Sequence, residues 1–175
     1  RSWVELAALL EARARHVADR DERAALFYQL GRLHQHERHD VAAAIRAFDA
    51  ALDADAEHPS ALEGRAELAW EAQDYHRADL LYGRLAPARS TLAPETLWLR
   101  RSEIAARLER NDRALRFAQE AARHGPPRSD VLARVAHLAA AQGDLETAVS
   151  AARSALELMA LGDAPAVVAA RLDLA

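Results

Sequence analysis

The chain has 175 residues, a formal net charge of −4, 8 histidines and no cysteine. That length suits one ordinary domain with a real core. The acidic balance argues against a phosphate-driven nucleic-acid binder, and without cysteine there is no disulfide framework. The apolar fraction is 51%, but 44 of those residues are alanine, and no apolar run reaches the ~18 residues that a bilayer span requires. We therefore expect no membrane insertion and a cytoplasmic location.

Alanine, leucine, arginine and glutamate dominate and β-branched residues are few, which predicts an all-α fold. All 23 basic residues are arginine, as expected of a GC-rich genome. Residues 1–22 contain WVELAALLEARARHVA, one helix that ends at DRDE (19–22). Four pairs of helices follow in 24–58, 59–94, 95–128 and 129–162. Their breaks lie at ERHD (37–40), Glu57 to Pro59, QD (73–74), APARSTLAP (86–94), RND (110–112), HGPPR (124–128), QGD (142–144) and LGDAP (161–165). Each break carries the Asp, Asn, Gly or Pro expected of a cap or a turn. A last helix, APAVVAARLDL, begins at 164. About ten helices of three to four turns result.

The pairs repeat. FYQLGRLH (27–34), LEGRAELA (62–69), WLRRSEIA (98–105) and LARVAHLA (132–139) align with starts 35, 36 and 34 residues apart, placing Gly31, Ala66, Ser102 and Ala136 in one register. A small residue at a helix crossing lets the two helices of a hairpin approach closely. Ala44, Ala78, Ala114 and Ala148 open the second helices, and Phe48, Tyr82, Ala118 and Ala152 follow one turn later on the same face.

These residues resemble the tetratricopeptide repeat: Phe27, Leu30, Gly31, Ala44 and Phe48 match its signature in the first full repeat, and Ala136, Gly143, Asp144, Ala148 and Ala155 in the last. The proline that closes a repeat stands only at Pro126, and His34 and Ala105 replace the aromatic that closes the first helix. The resemblance covers the whole chain and implies a right-handed superhelical stack of antiparallel hairpins forming a single solenoid segment. In that register, residues 1–22 are the second helix of a truncated repeat and 163–175 the first helix of another. The natural protein is therefore expected to continue in both directions.

The stretch LHQHERHD (33–40) holds His34, His36, His39 and Asp40. His34 occupies the aromatic slot that points into the hairpin, whereas His36 lies about 200° around the helix from it. The bland reading is a core histidine beside a hydrogen-bonded turn. The alternative is a metal set of His36, His39 and Asp40, and zinc would ask three or four ligands of it. No phosphate loop, nucleophile elbow or zinc-protease motif is present, so we expect no catalytic residue, no cofactor and no enzyme. Acids alternate with arginines at helical spacing, as in Glu11 with Arg15, which suits solvated helix faces.

In the resemblance, the first helices line a concave groove. The residues placed there are Tyr28, Arg32, Gln35, His36, Glu63, Glu67, Trp70 and Glu71, then Leu99, Arg100, Glu103, Arg107, Arg134 and His137. Apolar anchors beside guanidinium forks suit a peptide or helical segment of a partner protein. The clamp for C-terminal carboxylates in chaperone-binding members needs asparagines where Arg32, Glu67, Glu103 and His137 stand, so that activity is not expected. A structural spacer, or self-association through exposed terminal helices, is the second reading.

Overall fold

The computed structural model describes residues 2–85 and 89–162. Among them are nine α-helices and no strand: α1 Ser2–His16, α2 Arg20–His36, α3 Val41–Ala54, α4 Pro59–Glu71, α5 Tyr75–Arg84, α6 Pro94–Arg107, α7 Asn111–His124, α8 Ser129–Ala141 and α9 Leu145–Gly162. The tenth expected helix, within 163–175, lies outside the described residues. None of the described helices is long and apolar enough to cross a membrane. The chain divides between Thr91 and Leu92 into two compact units.

The hairpins α2–α3, α4–α5, α6–α7 and α8–α9 form as the spacing predicts. Their turns share one backbone device. Gln73, Glu109 and Gly143 have φ of 60, 57 and 79°, and the next amide, of Asp74, Arg110 or Asp144, donates to the carbonyl five residues back. That bond closes the helix with a left-handed residue, a conformation glycine adopts freely and other residues adopt at a cost of about 1 kcal/mol. The first turn is one residue longer. There His39 has φ of 50° and the Asp40 amide reaches the His34 carbonyl at 2.9 Å.

In the first unit α1 packs on α2, and the core centres on Phe48 of α3, which is 0% exposed. Gly31 and Gly64 make its slot: a Cβ on either would come within 2.5 or 2.7 Å of the ring. Burying such a ring contributes about 2–3 kcal/mol, and here only a missing methyl on two neighbouring helices permits it. The alignment identifies Gly31 but puts the second repeat's small residue at Ala66. Both Ala66 and Gly64 are buried, and it is Gly64 that touches the ring. Arg65, 5% exposed, donates from Nε to Asp49 Oδ1 at 2.9 Å and joins α4 to α3.

The second unit has an alanine-rich core: Ala105, Ala114, Ala118, Ala139, Ala148 and Ala151 close around Leu115, Val135 and Leu138. Trp98 stacks on Phe117 with centroids 5.6 Å apart, and the Arg101 guanidinium lies 4.4 Å from the Phe117 ring centre. In the first unit α1 exposes Trp3, Val4 and Leu9, and in the second α9 exposes Leu145, Val149 and Leu156.

Candidate functional site

Within each unit the first helices of successive hairpins adjoin. In the first unit α2 meets α4, and the Tyr28 ring lies tilted against Phe48 at 6.1 Å and against His58, the N-cap of α4, at 5.7 Å. Arg32, one turn along, donates from Nη1 to the Tyr28 hydroxyl at 3.1 Å. These contacts hold Tyr28 half-buried while Arg32 stays exposed. Gln35 is half-buried on the next turn, and its Oε1 has no hydrogen-bond partner among the described residues.

On α4, Glu67 is exposed and Trp70 half-buried, with its ring edge-on to Tyr75, the first residue of α5, at 5.3 Å. Trp70 thus packs against the second helix of its own hairpin. Glu63 is already engaged: its carboxylate accepts from the Ser90 hydroxyl at 2.7 Å, the Thr91 amide at 2.6 Å and the Thr91 hydroxyl. That tie between residues 28 apart is not visible in the sequence pattern. The neighbouring Ser-Thr pair was its only signal.

In the second unit α6 and α8 are joined by Ser102, which is 0% exposed. Its hydroxyl donates to the Ala114 carbonyl of α7 at 2.8 Å and accepts from Arg134 Nε of α8 at 2.9 Å. Three helices are tied through one oxygen. Sequence reasoning gives Ser102 only the role of a small residue; a hydroxyl at a slot usually filled by glycine or alanine was the available signal. Burial lowers the pKa of Arg134 from the usual arginine range, Glu103 works against that, and Arg107 adds to it. Leu99, Arg100 and Glu103 are half-buried, while Arg107 and His137 are exposed. Arg100 approaches Glu103 at 3.4 Å. The structure brings Tyr28 to Arg32 in one unit, and in the other sets Arg134 in the field of Glu103 and Arg107.

The histidine stretch divides its labour. His34 is 9% exposed, as its slot predicts; His36 is exposed; His39 is the left-handed turn residue; and Asp40 Oδ1 accepts the Ala43 amide at 2.9 Å as the N-cap of α3. Among the described residues no group of three or more His, Asp or Glu is arranged to hold a metal ion.

Several solved structures superpose on this chain. MamA from Desulfovibrio magneticus RS-1, residue 41 to the end, aligns with a TM-score of 0.68 at 19% identity, covering 93% of this chain and 88% of that one. A MamA RS-1 double mutant gives 0.71 at 18% identity over 92% and 87%. YrrB, described as a TPR protein with an unusual peptide-binding site, gives 0.66 at 19% identity over 77% and 68%. The fold is that of a tetratricopeptide repeat. Neither a protein-family model nor a curated protein matches the sequence. The tetratricopeptide hairpins are carried here by spacing and small-residue slots, with most signature aromatics replaced.

Proposed function

We propose that this tetratricopeptide segment is a non-catalytic protein-interaction scaffold that takes a peptide or helical segment of a partner protein on the wall of its first helices. The carrying observation is that wall side chains are fixed before any partner arrives: Tyr28 by Phe48, His58 and Arg32, and Arg134 by Ser102. Side chains already ordered lose less entropy on binding, so more of their contact energy appears as affinity. Tyr28, Trp70 and Leu99 offer apolar area. Arg32, Arg100, Arg107 and Arg134 favour carboxylates, Glu67 and Glu103 set the register of charge, and Gln35 and His137 add polar contacts. The peptide-binding site named for YrrB supports this reading by analogy of fold.

The test is selection of peptides from a display library against the native chain, followed by affinity measurement on an Arg32→Glu/Arg107→Glu variant whose circular dichroism is unchanged. Selected peptides should lose at least about tenfold in affinity, the effect of losing charge-assisted hydrogen bonds. Equal affinity for both proteins would remove the wall from the account. The apolar surfaces of α1 and α9 favour a second reading, a spacer that associates with its own kind. Light scattering over a concentration series tests it, and a monomer at every concentration rules it out.

A further inference from the structure

A cavity of about 470 Å³ lies between α1, α2 and α3. Phe27, Leu30 and His34 of α2 face it, roughly 130° around the helix from Tyr28, Arg32 and Gln35. It is therefore distinct from the first-helix wall. Phe27, Leu30 and Ala47 give it an apolar side; His34, Arg38 and Arg46 give it a cationic one.

Two acids, Glu11 and Asp40, also line the cavity, and both are engaged. Arg15 pairs with Glu11, and Asp40 Oδ1 holds the Ala43 amide. Arg38 and Arg46, by contrast, have no ion pair among the described residues. Arg38 Nη1 lies 3.4 Å from His34 Nδ1. A guanidinium can only donate, so Nδ1 is the acceptor and the neutral ring carries its proton on Nε2. The imidazole, 9% exposed, is thereby fixed in orientation and tautomer beside two cations.

We propose that this cavity is a binding site for a carboxylate borne on a short apolar body, with Arg38 and Arg46 holding the carboxylate, His34 Nε2–H as a third donor, and Phe27, Leu30 and Ala47 packing the body. Guanidinium forks match two-oxygen anions, and a mixed apolar and cationic lining prefers an amphipathic acid to a fully hydrated inorganic one. A volume of this size accommodates a group on the scale of one amino acid.

The site has a built-in proton linkage. Burial lowers the His34 pKa below 6.5; Arg38 adds to that, Asp40 opposes it, Arg46 adds again and Glu11 opposes. These are the charged groups facing the ring from α1, from the end of α2 and from α3. A bound carboxylate adds a negative charge beside the arginines and raises the ring's pKa. In the interval between the free and bound values the complex takes up a proton on Nδ1, which releases Arg38 from the ring to the carboxylate, and affinity increases as pH falls through that interval.

The test follows the His34 ring resonances of the full chain by NMR while titrating 4-methylpentanoate, inorganic phosphate, and the tripeptide acetyl-Ala-Ala-Leu. Saturable binding of 4-methylpentanoate with an upward shift of the His34 pKa is expected. Arg46→Gln should weaken it about tenfold, and Arg116→Gln, at an exposed position of α7 in the other unit, should leave it unchanged. Tighter binding of the tripeptide identifies a chain terminus as the source of the carboxylate; tighter binding of the free acid identifies a small organic acid. Phosphate binding as well as 4-methylpentanoate, insensitivity to Arg46→Gln, or an unmoved His34 pKa would each overturn the proposal. None of these outcomes depends on peptide binding at the first-helix wall.

Discussion

The two units begin their helices differently. In the first, all four helices after α1 have side-chain caps: Asp19, Asp40, His58 and Asp74 accept the amides of Glu22, Ala43, Ala61 and Arg77. In the second, α6, α7 and α8 start at Ala93, Arg110 and Arg128 with no side-chain cap bond, and only Asp144 before α9 accepts an amide, that of Thr147. A cap contributes about 1 kcal/mol, so three missing caps amount to a substantial part of the stability of a small unit. The cores differ as well. One closes around an aromatic ring in a glycine slot, the other around alanines tied by a buried hydroxyl. The same hairpin can therefore be stabilised from its ends or from its crossing.

Hydrogen exchange should show earlier opening of α6–α8 than of α2–α5, and substitutions can widen or erase that gap. The largest effect is expected from Gly31→Ala. Its Cβ would lie 2.5 Å from a Phe48 ring that has no room to move, and we expect a net loss of about 2–3 kcal/mol by chemical denaturation despite alanine's better helix propensity. Adding Phe48→Leu should recover part of it. Full stability of Gly31→Ala would show that the glycine slot does not order the first unit.

Ser102→Ala comes next. It leaves Arg134 Nε and the Ala114 carbonyl without their partner, at a cost of about 1–2 kcal/mol in the second unit alone. A loss spread evenly over both units in hydrogen exchange would contradict the local role. Ala93→Ser, placed before Pro94 at the start of α6, should add about 1 kcal/mol and narrow the gap. No change in the melting curve would mean that the missing cap is not what weakens α6. The smallest change is Gln73→Gly or Glu109→Gly, each relieving a left-handed residue and gaining about 0.5 kcal/mol after the entropy cost of glycine. The gain should be similar in both units, because both turns share one geometry.

Much of the fold is legible in the residues because helix breaks are local. QD, RND and QGD mark their turns, and the spacing of 34 to 36 residues pairs the helices. Cap assignment fails where the helix start moves by one residue: RND offers Asn111 and Asp112, yet α7 begins at Asn111 and leaves Arg110 in the capping position. The site is less legible because its contacts join distant residues. Ser102 meets Arg134 across 32 positions and Glu63 meets Thr91 across 28, and no periodicity specifies which pairs will touch. His34 was legible for the opposite reason, since its burial follows from helical phase alone. Trp70 meets Tyr75 edge-on, a contact set by a turn geometry that a letter pattern does not encode.

The hairpin turns bear on how such chains are found. His39, Gln73, Glu109 and Gly143 all hold the left-handed conformation, and an amide-to-carbonyl bond closes each turn. Four different letters thus spell one backbone event, and a profile of residue frequencies averages them to noise. Identities of 18 and 19% accompany TM-scores of 0.66 to 0.71 for MamA from RS-1 and YrrB. A search pattern written in dihedral signs and spacing, one left-handed residue every 34 to 36 positions, would retrieve chains of this kind that residue identity passes over.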